Sequence, residues 1–287
     1  MVTMHDDRKI VIDDLAFGEG PRWHEGSLYL SDMHHNRVLR IDGKGTAHVT
    51  AQHDGALSGL GWLPDGTLLV VEMEGAVLRL DEDGLSVYAD LKVQAHFGVN
   101  DMIVHPAGWA YVGQFGYDRE GGGTVVASPL LKVGVDGSVS QAAADLMVAN
   151  GMIITPDGGT LLVAESAGCR LSAFTIGNDG ELKDRRVWAT MPDRHYPDGM
   201  CLDAEGGVWV GCPMVNRFVR VLEGGEVTDE INLEPDRHAI ACVLGGIDRR
   251  TLYMLNAVTT GQAERSRELR SAHLESAEVD VPGAGLP

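Results

Sequence analysis

No run in this 287-residue chain approaches the ~18 consecutive apolar residues that a bilayer crossing requires. The opening Met-Val-Thr-Met-His-Asp-Asp lacks the basic and apolar stretches of an export signal, so a cytoplasmic protein with no membrane partner is expected. Positive charge is scarce. Lys and Arg number 23 against 42 Asp and Glu, a formal charge of −19, and such a surface repels nucleic acid and anionic lipid. Only four cysteines are present, Cys169, Cys201, Cys212 and Cys242. No Cys-x-x-Cys occurs and each stands in or beside an apolar strand pattern, so buried reduced thiols are expected in place of disulfides or a zinc knot. Aromatics are few, leaving Val, Leu, Ile and Ala to fill the core. No Gly-x-Ser-x-Gly elbow exists for a serine hydrolase, and Gly121-Gly-Gly lacks the Lys-Ser/Thr of a phosphate cradle. No stretch carries a helical apolar stripe uninterrupted by Gly or Pro, so long helices are not expected.

What the chain does have is a repeat. Glu19-Gly-Pro-Arg-Trp-His-Glu-Gly, Ser58-Gly-Leu-Gly-Trp-Leu-Pro-Asp-Gly, Asn100-Asp-Met-Ile-Val-His-Pro-Ala-Gly, Asn150-Gly-Met-Ile-Ile-Thr-Pro-Asp-Gly and Asp198-Gly-Met-Cys-Leu-Asp-Ala-Glu-Gly begin successive units. A degenerate sixth begins near Ala241 and runs through Gly245-Gly-Ile-Asp-Arg-Arg-Thr-Leu-Tyr. A period of roughly 40–50 residues filled with short strands and tight turns is the mark of a β-propeller blade. In the first unit the strands fall at about 20–24, 27–31, 37–42 and 46–50. The expectation is an all-β, six-bladed β-propeller with four-stranded blades and a metal in the central tunnel, a single domain over 1–287. Lys9-Ile-Val-Ile-Asp and the strand-like stretch from Ala272 are expected to pair in one blade and close the ring. The polar stretch from Thr259 to Arg270 reads as a mobile loop, and Tyr117-Asp-Arg-Glu-Gly-Gly-Gly as an insertion on one face of the disc.

Asn-Gly and Asp-Gly are ordinarily turn dipeptides. Here phase argues otherwise, because Glu19, Asn100, Asn150 and Asp198 stand at the start of the innermost strand, whereas the turn pairs Asp65-Gly66 and Asp157-Gly158 stand at its far end. If innermost strands line the axis, two carboxylates and two amides meet at one mouth. Such an oxygen cage suits Ca²⁺, Mg²⁺ or Mn²⁺, and Zn²⁺ when water completes the site. Two buried carboxylates without a basic neighbour would otherwise repel each other or take up a proton. Ser58 and Ala241 occupy the equivalent point in the second and sixth units, leaving that side for substrate or water.

Gly18-Glu19-Gly20-Pro21-x-Trp23, Asn100-Asp101, Asn150-Gly151-Met152 and Pro197-Asp198-Gly199-Met200, in this order, resemble the signature of the senescence marker protein, gluconolactonase and luciferin-regenerating enzyme family. The resemblance covers nearly the whole chain, including the closing Asp280-Val-Pro-Gly. It implies a six-bladed propeller that holds one divalent cation and acts as a lactone hydrolase. Glu19, Asn150 and Asp198 match the family's metal ligands. Asn100 matches a position that contacts either the metal or the substrate, and the resemblance points to Asp198 as general base or water-positioner. Asp101 follows Asn100 on a strand, so its side chain should point away from the metal and accept a hydrogen bond behind it.

Loops on the metal-bearing face should supply the substrate pocket, with Met33, His34, Met73, His96, Gln114, Phe115, Tyr117, His195, Tyr196 and Met214 among its candidates. His96 and His195 flank the mouth and could shuttle protons. The sugar-lactone branch of the family carries an Arg two residues before the Asn, where this chain has Gly98. That substitution and the methionines and aromatics suggest a lactone or ester less polar than gluconolactone. Two alternatives remain open. A phosphotriester could be polarised on the same cage, or the cation could brace a propeller that binds a partner without catalysis.

Overall fold

The computed structural model describes residues 3–4, 7–118, 122–259 and 262–286. Six antiparallel four-stranded sheets stand around one axis. Their innermost strands are Gly18–His24, Leu57–Trp62, Val99–Val104, Ala149–Ile154, Met200–Asp203 and His238–Gly245. Each packs against the next, and the sixth packs against the first, so the ring of six is closed. Blades one to five run outward in chain order, and in blade six the outermost strand is Lys9–Leu15, paired with Ala272–Glu278. The short strand Thr3–Met4 lies parallel to the outer edge of blade five, and Gly283–Ala284 pairs with that blade's inner strand.

The strands form where β-branched and aliphatic residues alternate or run continuously between turn residues. Inner strands are buried on both faces: all six residues of Val99–Val104 are buried. In blade one the hairpin is tight, with Glu25 and Gly26 both at positive φ (47° and 75°), the conformation a two-residue turn requires. The apolar core forms six contact clusters, most of them bridging neighbouring blades.

The second residue of each repeat explains its glycines. A Cβ on Gly151 would lie 2.5 Å from the Asp198 carbonyl oxygen, and one on Gly199 would lie 2.3 Å from Ala241 Cβ. Adjacent inner strands therefore approach too closely for side chains at this level. Asp101 is the exception. Its carboxylate lies over Gly59, where any Cβ would come within 2.4 Å of Oδ1.

The stretch from Thr259 to Arg270 contains a helix, Ala263–Leu269, where the sequence reading has only a loop. Its Ala, Glu, Arg and Leu residues favour helix, and it is too short and polar for the apolar stripe to register. It docks on the Met33–His35 turn through Arg267 Nε, which donates to the His34 carbonyl (2.8 Å). Of the insertion after Tyr117, residues 119–121, including Gly121, lie outside the described residues. None of the four cysteines is in a disulfide.

Candidate active site

Five of the six inner strands carry an irregularity near their start, and in blade five the strand begins only at Met200, two residues after Asp198. The ladder slips between Glu19 and Arg22, Leu57 and Leu60, Val99 and Met102, Ala149 and Met152, and Ala239 and Ala241. A β-bulge of this kind re-aims the side chains beside it, and it recurs here in five of the six repeats. Register places Glu19, Ser58, Asn100, Asn150 and Asp198 at one level of the ring. In blade six, Leu244 pairs with Leu252 as Leu202 pairs with Val208, so the residue at that level is Ile240; Ala241 is one residue too far along.

Buried acids at the ends of the second strands hold the chain as it enters the ring. Asp32 Oδ1 accepts from the Ala16 and Phe17 N–H groups (3.0 and 3.2 Å), just before Glu19. Glu165 Oε2 accepts from Met147 N–H (3.0 Å), just before Asn150. Arg37 neutralises the first acid, with His35 Nδ1 2.7 Å from the same oxygen, and Arg170 and Arg185 neutralise the second.

Glu19 and Asn100 are buried at the ring, while Asn150 and Asp198 are half-buried. The Asn100 amide donates to the Ala149 carbonyl (3.5 Å) and the Asn150 amide to Ser166 Oγ (3.4 Å). Ser166 Oγ in turn donates to the Pro197 carbonyl (2.7 Å), tying blade four to the residue before Asp198. Burial, then the charges of Asp198 and Asp101, push the Glu19 carboxyl well above the usual carboxylate range, against the Gly20 N–H and Arg22. Burial pushes Asp198 up to about 7, aided by Asp101 and opposed by hydrogen bonds from Asn150 and the Gly199 N–H. Asp198 Oδ1 has no hydrogen-bond partner among the described residues.

These residues fit a divalent cation. Two mutually repelling carboxylates are confined with two amides, Asn100 donating to the Ala149 carbonyl of the next blade and Asn150 to Ser166 Oγ of its own, and a buried carboxylate oxygen is left unmatched among the described residues. An oxygen-rich, net anionic set suits a hard dication. The acids are fewer than three by themselves, since no cluster of three or more His, Cys, Asp or Glu able to hold a metal occurs among the described residues. The amides of Asn100 and Asn150 would have to supply the rest of such a cage.

Beneath the ring lies a group that the sequence reading missed. Arg22, buried in blade one, donates to the Leu60 carbonyl (3.0 Å), to Asp101 Oδ1 (2.9 Å) and to the Met102 carbonyl (2.7 Å). Asp101 thus accepts from Arg22 and from the Met102 N–H (2.7 Å), and burial raises its pKa against the Arg22 charge. The cage does have a basic neighbour. An arginine three residues after Glu19 on the same inner strand was the available signal, but its partner lies 79 residues away.

The proposed pocket residues divide into two groups. Met33, Met73 and Phe115 each follow the last residue of a second strand, in blades one, two and three. They are buried in one apolar cluster with Val148 and Ile240, and Tyr117 packs on it edge-to-face with Phe115 (6.0 Å, 87°). His34 is buried against Phe17 (5.5 Å), and the Gln114 amide donates to the Pro129 carbonyl (2.8 Å). His96, Tyr196 and Met214 are exposed, and His195 is half-buried, its Nδ1 2.9 Å from the Asp193 carbonyl. Cavities of about 350 and 490 Å³ open elsewhere, the larger lined by Arg22, His24, Trp62 and Leu286. Neither touches the ring residues.

A family model described as SMP-30/Gluconolactonase/LRE-like region matches residues 17–258. The chain is 28% identical to 6-deoxy-6-sulfogluconolactonase of Pseudomonas putida, over 99% of each chain. It is 26% identical to a pentonolactonase of Haloferax volcanii, covering 97% of this chain and 96% of that one. Among solved structures, the calcium-binding protein regucalcin of Agrobacterium tumefaciens superposes with a TM-score of 0.82 at 19% identity, over 100% of this chain and 98% of that one. This last likeness speaks to the fold.

Proposed function

The chain belongs to the SMP-30/gluconolactonase/LRE-like family, and from that premise we propose that it is a divalent-metal-dependent hydrolase that opens a lactone. The observation that carries the reading is the ring itself: Glu19, Asn150 and Asp198 as ligands, with Asn100 beside them facing metal or substrate, and an unmatched Asp198 oxygen. A divalent cation bound there, whether Ca²⁺, Zn²⁺, Mg²⁺ or Mn²⁺, would polarise the lactone carbonyl and acidify a bound water. Glu19, more deeply buried, anchors. Asp198, half-open to the mouth, orients the attacking water and accepts its proton. Asp101, held by Arg22, fixes the strand that carries Asn100.

The buried apolar cluster of Met33, Met73, Phe115, Val148 and Ile240 favours a substrate less polar than gluconolactone. This differs from the sugar lactones named for the two relatives. The test is a panel of δ-valerolactone, dihydrocoumarin, gluconolactone and a phosphotriester, assayed before and after chelation, with elemental analysis of the purified protein. We expect δ-valerolactone and dihydrocoumarin to be opened faster than gluconolactone, and chelation to abolish this until a dication is restored. Hydrolysis indifferent to chelation would remove the mechanism. Turnover of the phosphotriester alone would favour the alternative chemistry, and no turnover at all a binding propeller.

A further inference from the structure

Apart from Asp198 Oδ1, a second buried side-chain oxygen at the ring level has no hydrogen-bond partner among the described residues: Ser58 Oγ. Ser58 is only 1% exposed. A buried hydroxyl without a partner is uncommon in a folded protein because its desolvation goes uncompensated.

The residue is nonetheless firmly placed. Its own carbonyl accepts from Ser31 Oγ (2.5 Å), so blade one holds it from one side. Gly20, at φ +53°, passes so close that a Cβ there would lie 2.9 Å from the same carbonyl oxygen. The ladder slips between Leu57 and Leu60 as it does in the strands carrying Glu19, Asn100 and Asn150, so Ser58 shares their register. With six blades in chain order around the axis, blade two stands across the ring from blade five. Ser58 therefore faces Asp198 across the site, while the remaining position is closed by the apolar Ile240.

The geometry points to Ser58 as the hydroxyl that receives the departing oxygen of the opened lactone, an inference that rests on the hydrolase reading above. Water held by Asp198 bonds to the carbonyl carbon from one side. The bond from that carbon to the ring oxygen then breaks, and its electron pair remains on the oxygen. The proton given up by the water passes by way of Asp198 to that oxygen, which becomes the alcohol of the hydroxy acid. Ser58 keeps its own proton and donates a hydrogen bond while negative charge builds on the leaving oxygen. A donor fixed before the reaction stabilises such charge without reorganising.

The test is Ser58→Ala, compared on δ-valerolactone, which expels an alkoxide, and dihydrocoumarin, which expels a far more stable phenoxide. For δ-valerolactone kcat should fall by about a hundredfold, and for dihydrocoumarin by less than about threefold. The variant should melt at or above the temperature of the unaltered protein, since it loses no internal hydrogen bond, and calorimetric titration with Ca²⁺ should be unchanged. Equal losses on both lactones, or weakened Ca²⁺ binding, overturn the assignment to the leaving oxygen while leaving the hydrolase reading standing. If the unaltered protein opens neither lactone, the hydrolase reading and this inference fall together.

Discussion

Asp198 is set apart from Glu19 by exposure. Both carboxyls are raised above their ordinary range, but Glu19 is sealed and Asp198 is half-open with an unmatched oxygen. Replacing Asp198 by Asn keeps shape and hydrogen-bonding reach while removing the proton acceptor. We expect kcat to fall by about 10²–10⁴-fold at saturating dication. Circular dichroism should be unaltered, and retained turnover would argue against the assigned role. At this scale the sequence was informative because the start of each inner strand can be counted back from a turn such as Pro64-Asp-Gly or Pro156-Asp-Gly. In the sixth repeat that landmark is gone. The hairpin after Leu244 is longer than that after Leu202, and counting along the degenerate repeat reaches Ala241, one residue past Ile240. The Arg22–Asp101 pair was illegible because no local pattern links residues 79 positions apart.

The elements that matter most to the site are the second strands, through the acids at their ends. Burial alone would raise the Glu165 pKa, but hydrogen bonds from Arg170, Ser172, the Met147 N–H and Arg185 outweigh it, lowering the pKa from 4.5 to about 2. A carboxyl whose folded pKa is depressed adds stability that is complete above its ordinary pKa and is lost as pH falls towards the folded value. The displacement corresponds to about 3 kcal/mol. We therefore expect the urea midpoint to drop as pH falls from about 4.5 towards 2. Glu165→Gln should be less stable at neutral pH and show a shallower acid transition. An unchanged slope would mean that this brace contributes little. Strand number and cadence were readable in the sequence because hairpins are local. The Ala263–Leu269 helix was not, since its placement depends on docking to the Met33–His35 turn far away in the chain.

For the whole molecule, both ends of the described chain are tied into the disc. The final segment crosses from blade six to blades five and four: Gly283 pairs with Asp203, Ala284 with Leu202, and Leu286 exchanges two hydrogen bonds with Ile154 (3.0 Å each). Deleting residues 281–287 should lower the melting temperature by several degrees, at roughly 2–4 °C per kcal/mol for a chain of this order of size. Lactone turnover measured well below that temperature should persist, because none of the ring residues belongs to the segment. A melting curve superposable on that of the intact chain would show the tail to be passive.

The pairing of Lys9–Leu15 with Ala272–Glu278 also has a temporal side. The strand that completes blade six leaves the ribosome well before its neighbour, which emerges only after five blades' worth of polypeptide. Until then Ile10 and Ile12 belong to an unmatched edge, open to adhesion by other nascent chains. Yield in cells should thus depend less on how firmly the finished disc holds together than on how long that orphan strand must wait.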